Sequence, residues 1–283
     1  MSKTLSFVVR WFSYPLIGGG LAAAMLGALY RGLPYWPTTA LLALAGVIAV
    51  ALLERVQPFR REWLNDHSDT GTDLQHNLVN LTVIQFTAMV LAETGALLPD
   101  SMRIFPSDAA PLLQLVLVAL VIDLSLYSMH RASHHIAWLW RLHTPHHSSE
   151  RLYWLNGERR HPVHAVLMAG PGLLVLLLLG TPAAPIATWF GILTLHLAFQ
   201  HANLDYRVGY LRYVIGVAET HRWHHKREFE DAQVNFGEFF LLWDHLFGTF
   251  FDSADKLGEA EVGVKERDYP TDYAGQLRAP FQR

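Results

Sequence analysis

Three short stretches place histidines at spacings that suit metal ligation: "HRASHH" at 130–135, "HTPHH" at 143–147 and "HRWHH" at 221–225. On an α-helix, residues i, i+3 and i+4 lie on one face about one turn apart, so each H-x-x-H-H stretch aims three imidazoles at one region of space. "HRWHH" suits an unbroken helix. In "HTPHH", Pro145 is disfavoured inside a helix but favoured at its first position, so His143 is expected in the turn before a helix that carries His146 and His147. His130 and His134 are one turn apart, and Tyr127 and Asp123 continue their face back into an apolar run. An aspartate in such a run is costly unless paired. Two roles are open to it: accepting a hydrogen bond from a ligand imidazole and so fixing which nitrogen faces a metal, or a packing bond to a neighbouring span.

Neutral imidazoles bunched without a metal leave many polar nitrogens competing for partners, which favours a metal site. Eight histidines (130, 134, 143, 146, 147, 221, 224 and 225) are too many for one ion and imply two. All-histidine ligation suits iron, copper, zinc or nickel and excludes magnesium and calcium. With no cysteine among 283 residues, disulfides, zinc-thiolate sites, iron–sulfur clusters and cysteine nucleophiles are all excluded.

The elements that must position these residues are membrane helices. The chain is 51% hydrophobic and only 17% charged, apolar-rich beside an ordinary soluble domain. A formal charge of −3, with no dense basic block, excludes a nucleic-acid footprint. Apolar runs at Trp11–Tyr30 and Thr38–Leu53 read as a helical hairpin; a cleaved signal peptide is the alternative for the first. A third span, from about Asn77 to Leu98, carries Asn80, Gln85 and Glu93 and is expected to face protein on one side. The fourth, Pro111–Met129, is the clearest. Two shorter runs, about Val163–Leu179 and Ala184–Gln200, are joined by "GTPAAP" and either cross as a pair or dip in and return. The expected fold is all-α: a polytopic membrane bundle of about four long spans plus a short hairpin, with a cytoplasmic His-rich helical cap. Residues 1–283 form a single membrane-embedded catalytic domain, of which 252–283 is a polar, solvated tail.

With the N-terminus in the cytoplasm, the outer loops hold only Arg31 and Arg103, leaving the other 20 of 22 Lys and Arg inside. Both H-x-x-H-H stretches and both termini then lie on the cytoplasmic side. Trp138, Trp140, Tyr153, Trp154, Trp223 and Trp243 flank the histidines as interfacial anchors or as the lining of a lipid entry.

The order "HRASH", "HTPHH", "HRWHH" resembles the three histidine boxes of the integral-membrane fatty acid hydroxylase and sterol desaturase superfamily. Further likeness comes from "DLSLYSMHR", "LWRLHTPHHSSE", "ERRHP", "FQHANLD" and "NFGEFFLLWDHLFGTF", spanning about Glu54 to Phe251. The resemblance implies two non-haem iron ions, dioxygen as co-substrate, and oxidation of an unactivated C–H bond of a lipid taken from the bilayer. It implies His130, His134, His143, His146, His147, His221, His224 and His225 as ligands, His201 as a further one before the last box, and His161 of "RRHP" as a tenth. Asn235 falls where a residue could orient a ligand or bound water. His164 and His196 are expected behind the ligands or at helix ends, and His67 and His76 as structural. His245, which departs from the family's pattern, is open to headgroup binding, donor binding or packing. No cytochrome b5-like domain is evident, so a separate carrier of cytochrome b5 or ferredoxin type, with its reductase, is implied.

Hydroxylation and desaturation begin with the same hydrogen abstraction; hydroxylation of a fatty acyl, sterol or hopanoid, ether-lipid or aminolipid substrate is the favoured reading, desaturation the alternative. A zinc-dependent membrane hydrolase is a second alternative and would need a carboxylate such as Glu219 or Glu158 beside the metal. Metal transport is disfavoured because transporters place ligands near the bilayer midplane, whereas these clusters sit at helix ends.

Overall fold

The computed structural model describes residues 2–95, 99, 103–254, 257, 261–266 and 268–282. Helix α1 (Lys3–Ser13) passes through a π-helical turn, Tyr14–Gly19, into α2 (Gly20–Tyr30) as one apolar stretch of 28 residues. It starts before Trp11 because the Ser2 hydroxyl accepts from the Leu5 N–H (3.2 Å) and caps it. Helix α3 (Tyr35–Val56) returns beside it. Helix α4 (Thr70–Gly95) also begins early: the Asp66 carboxylate accepts from the Thr70 N–H (3.2 Å) and hydroxyl (2.9 Å). Of its polar residues, Asn80 is buried and donates to the Glu158 and Arg160 carbonyls (2.8 and 2.9 Å). Gln85, expected against protein, is exposed, and the Glu93 side chain and residues 96–98 lie outside the described residues.

Helices α5 (Pro111–His135), α6 (Ala137–His147), α7 (Pro162–Leu178) and α8 (Ala183–His201) follow. Among the described residues, four helices are long and apolar enough to cross a membrane: α1–α2, α3, α5 and α8; α7, at 17 residues, is shorter. Outward-facing Leu44, Ile48 and Leu52 on α3, and Leu78, Phe86 and Met89 on α4, present apolar surface of the kind a bilayer covers. Inside, Met25, Val118, Ile122, Met168, Leu176 and Trp189 join α2, α5, α7 and α8 into one core. Helices α5 and α7 approach closely at Gly172, where a Cβ would lie 3.0 Å from the Ser125 Cβ and 3.3 Å from the Ile122 Cα.

The α6 helix corrects the expectation for "HTPHH". His143, His146 and His147 lie on one helix that runs through Pro145. Pro145 is two residues from the helix end, so the Arg141 carbonyl that loses its partner lies in the last turns, where intrahelical bonds are already running out.

A cap of short elements covers the histidine-bearing ends: α9 (Ala218–His224), α10 (Leu242–Phe247) and α11 (Tyr273–Arg278). The segment leading into α10 reaches far down the bundle. Asp123, fully buried about 18 Å along α5 from His135, accepts from the Phe239 and Phe240 N–H groups (2.9 and 3.1 Å) and the Trp243 indole N–H (3.0 Å). Phe239 packs on Trp189 of α8 (4.9 Å between rings). Asp123 therefore takes the packing role rather than bonding an imidazole. Of the expected aromatic anchors, Trp138 is 56% exposed, whereas Tyr153 and Trp223 are buried, the Tyr153 hydroxyl donating to Asp73 (2.6 Å).

Buried ion pairs tie α4 to the loop after α6. Asp69 accepts from Arg151 (2.7 Å) and Arg159 (3.1 Å), and Arg159 also reaches Asp73 (3.2 Å). Glu54, at the end of α3, accepts from the Trp154 and Asn203 N–H groups (3.2 and 3.1 Å). The expected solvated tail folds back where it is described: Thr72 donates to the Thr271 carbonyl (2.8 Å), Gln276 meets His76 (2.9 Å), and Val262, Ala279 and Pro280 are buried.

Replacing Asp123 by alanine would strand two backbone N–H groups and an indole N–H. The Asp123→Ala chain is expected to lose about 3 kcal/mol or more of stability, read as a lower thermal unfolding midpoint in detergent; an unchanged midpoint would show that the carboxylate does not hold the segment.

Candidate metal centre

Nine of the ten expected ligands come together, in two groups. His130, His134, His143, His147 and His224 form one, and His146, His201, His221 and His225 the other; within each, one ring nitrogen per residue lies within 4.8 Å of the rest, and all nine residues are buried. The helical period decides the sorting. On α6 the i, i+4 pair His143 and His147 serves the five-histidine group, while His146, turned about 100° from His147, serves the other. At α9 and the residue that caps it the relation is reversed: His221 and His225 join the four-histidine group and His224 the five. The groups adjoin, with the His147 and His225 rings stacked 4.6 Å apart.

Nitrogen spacing tests whether this set fits a metal. The His147 Nε2 lies 3.2 Å from the His134 Nε2 and 3.1 Å from the His143 Nε2. The His221 Nε2 lies 3.0 Å from the His201 Nε2 and 3.1 Å from the His225 Nε2. A neutral imidazole carries one N–H, so each central nitrogen has more neighbours than protons to share. Around one ion with bonds of about 2.1 Å, nitrogens stand about 3.0 Å apart at right angles and about 3.4 Å apart in a tetrahedron. The residues therefore fit two ions.

Outer nitrogens are held. The His130 Nδ1 donates to the Phe236 carbonyl (2.8 Å), the His224 Nδ1 to the Val234 carbonyl (2.9 Å) and the His201 Nδ1 to the Asn156 Oδ1 (3.1 Å). With the proton on Nδ1, the Nε2 lone pair is free for a metal, and the Nε2 atoms of His130 and His224 have no hydrogen-bond partner. Burial first, and neighbouring charges second, push His143, His146, His147, His221 and His225 well below the ordinary histidine value of 6.5. His224 is likewise pushed well below it, by burial and then by His130. These imidazoles are neutral at pH 7, the form that ligates.

His161 is not brought to either group: its Nδ1 accepts from the Val163 N–H (3.2 Å) at the start of α7, and its ring meets Phe281 (5.7 Å). Pro162 at the first helical position makes the preceding residue the cap, and His161 fills that place. Asn235, at φ +52°, donates to the Thr220 and Phe251 carbonyls (2.9 and 2.8 Å) and accepts from the Phe251 N–H (2.8 Å), fixing the residue before His221. The Tyr127 hydroxyl meets the Thr249 hydroxyl (3.0 Å), not an imidazole. His164 bonds Ser133 (2.8 Å) behind His143, and His196 joins Tyr14 (2.7 Å) to the Gly216 carbonyl (2.9 Å). His76 bridges the Arg160 carbonyl and Gln276 (3.0 and 2.9 Å), and His245 packs on Phe250 and the Tyr213 carbonyl. Glu219 is held by Arg207 (2.9 Å) and the Val208 N–H (3.1 Å), and neither it nor Glu158 enters a group.

Four contributors escaped the residue patterns. Phe236 and Val234 act through carbonyls, which carry no trace of side-chain type. Asn156 meets His201 across 45 positions, and Glu238 stands 3.6 Å from the His130 Nδ1.

Residues 115–249 match the fatty acid hydroxylase family. The chain is 30% identical over 249 residues to the ornithine lipid hydroxylase OlsE of Rhizobium tropici, covering 85% of this chain and 74% of that protein. The chain belongs to the fatty acid hydroxylase family. It is also 30% identical over 141 residues to the alkylglycerol monooxygenase of Danio rerio, covering half of this chain and 31% of that protein. A fatty acid hydroxylase of Lecanicillium, vlmA, is 26% identical over 182 residues, 54% of this chain and 45% of that protein. No solved structure matches the chain. All nine grouped histidines lie within the stretch that matches the fatty acid hydroxylase family.

The neutral cap imidazoles set a pH dependence. Their folded values lie below 6.5, so as pH falls the unfolded chain takes up protons first; the stability present above about pH 6.5 is lost below it. For this chain treated with a chelator, the thermal unfolding midpoint is expected to be level above about pH 7 and to fall below about pH 6.5. A level profile through both ranges would contradict the buried neutral state.

Proposed function

We propose that this chain is a membrane di-iron monooxygenase that hydroxylates a C–H bond of a polar membrane lipid. The observation that carries the reading is the pair of buried all-histidine groups whose nitrogens stand 3.0–3.2 Å apart. Nitrogen-only ligation suits a metal that changes oxidation state, and the names of the relatives, hydroxylases and monooxygenases, support oxygen insertion. That neither Glu219 nor Glu158 enters a group disfavours the zinc hydrolase.

His130, His134, His143, His147 and His224 would hold one iron, and His146, His201, His221 and His225 the other; iron bound there supplies reductive activation of dioxygen. The balance is one C–H bond and one O2 converted to one C–OH and one water, with two electrons and two protons from an external one-electron carrier and its reductase. The chain's own part is to hold and to exclude. Phe236, fully buried, sets its ring against His134 (5.1 Å), His224 (5.3 Å) and His130 (5.7 Å) and keeps water from that side. Asn235 positions the backbone entering His221, and Asp123 and Tyr127 position the strap that carries Phe236. Basic-residue bias supports a cytoplasmic site with both termini on that side.

Lipid mass spectrometry of cells carrying the intact chain or the His224→Ala chain tests the reading. A lipid with one added oxygen, formed only with the intact chain and only under dioxygen, is expected. A lipid lacking two hydrogens would make the chain a desaturase, and identical lipids in both cells would overturn the proposal.

A further inference from the structure

The strap before α10 does not stay above the membrane helices. Asp123, which accepts its N–H groups, lies 12 residues before His135 on α5. Trp189, on which Phe239 and Phe240 pack (4.9 and 6.0 Å between rings), lies 12 residues before His201 on α8. At 1.5 Å per residue, both spanning helices put the strap about 18 Å from their histidine-bearing ends. The apolar run of α5 ends at Met129, so the strap sits about 9 Å inside it, within the roughly 15 Å of hydrocarbon that one leaflet supplies.

A second segment descends with it. The Gly216 N–H donates to the Phe239 carbonyl (2.8 Å) and the Leu241 N–H to the Val214 carbonyl (2.9 Å). Non-helical backbone is tolerated at hydrocarbon depth only where protein satisfies its polar groups, and here α8 and α10 do so. The His196 Nε2 donates to the Gly216 carbonyl (2.9 Å), and the Gln200 amide donates to the Gly237 and Glu238 carbonyls (3.1 and 3.0 Å). Asp244 accepts from the Phe236 and Gly237 N–H groups, both at 2.9 Å.

The outer side of this pair of segments is apolar and open. Leu211, Val214, Leu242, Leu246 and Phe247 are 48–65% exposed, and His245, the polar residue among them, bonds the Tyr213 carbonyl (2.8 Å). On α5, Leu124 beside Asp123 is also exposed, so a spanning helix faces lipid at the same depth. Phe247 stacks on Tyr127 (5.6 Å) and lies under the Arg131 guanidinium (5.6 Å to the ring centre), which puts a charge where the apolar run ends.

We propose that residues 211–216 and 237–247 form a re-entrant wedge. It dips from the cap into the leaflet nearest the histidines, beside α5 and α8, and lipid acyl chains cover its outer face. Phe236, which packs on His130, His134 and His224, also meets Tyr127 (6.2 Å), so one ring parts the lipid-facing Phe247 from the wall of the histidine site.

The chain has no cysteine, so a single introduced thiol reports where its residue lies. In the full-length protein reconstituted in phosphatidylcholine bilayers, Leu246→Cys and Leu211→Cys each carry a bimane label. Ile48→Cys, on the outward face of α3, and Glu230→Cys, 74% exposed on the cap, serve as references. Phosphatidylcholine brominated on its acyl chains is expected to quench most of the Leu246→Cys and Leu211→Cys fluorescence, as for Ile48→Cys. Aqueous iodide is expected to leave both unquenched while quenching Glu230→Cys. Iodide quenching of both at the Glu230→Cys level would overturn the proposal and return the segments to water. Resistance to both quenchers would also overturn it, because protein, a second copy of this chain included, would then cover the patch.

Discussion

Nine imidazoles buried side by side are tolerable only if something besides protons satisfies their nitrogens. The His147 and His221 Nε2 atoms each face two other Nε2 atoms at 3.0–3.2 Å, and a neutral ring cannot satisfy both with one proton. Protonating them is no escape, because an imidazolium in a dry site amid its own kind pays for desolvation and repulsion together. The arrangement is stable as a cage for cations, and most of the surrounding structure serves to keep that cage dry and in register.

Register comes from three directions. Helices α5, α6 and α8 bring their histidines from their C-terminal ends, and α9 with the residue that caps it brings the last three. The loop joining α6 to α7 is clamped to α4 through Asp69, Asp73, Arg151 and Arg159, which places Asn156 behind His201. The strap before α10 is anchored deep in the bundle at Asp123, and it returns the Phe236 carbonyl to His130. A carboxylate in a membrane span thus acts on the centre through the backbone it holds, at a distance from any ligand.

Much of this was legible in the sequence, for physical reasons. Apolar runs long enough for a bilayer gave spans that match the observed helices closely at the "GTPAAP" pair, because proline and glycine punctuate the chain there. The i, i+3, i+4 spacing picked out histidines that come together in the fold, because helical geometry relates spacing to direction. The disfavour of proline inside a helix does not decide the structure at Pro145, which lies two residues from a helix end, where its cost is smallest. Asp123 shares a face with His130, which leaves both an imidazole bond and a packing bond open; the packing role is decided by backbone N–H donors more than 100 positions away, which no local pattern reveals. The "RRHP" stretch around His161 is equally the pattern of a helix cap followed by proline at the first helical position, and that is the place His161 fills. The division of the histidines into five and four required three dimensions, since each H-x-x-H-H stretch serves both groups.

The central claim is that the two groups hold two iron ions through imidazole nitrogen. Iron K-edge X-ray absorption, with quantitation on protein purified without added metal, tests it most directly. The account predicts two irons per chain, each with a first shell dominated by nitrogen at about 2.1 Å and the outer-shell scattering of several imidazoles. One metal per chain, zinc in place of iron, or a first shell dominated by oxygen would contradict it.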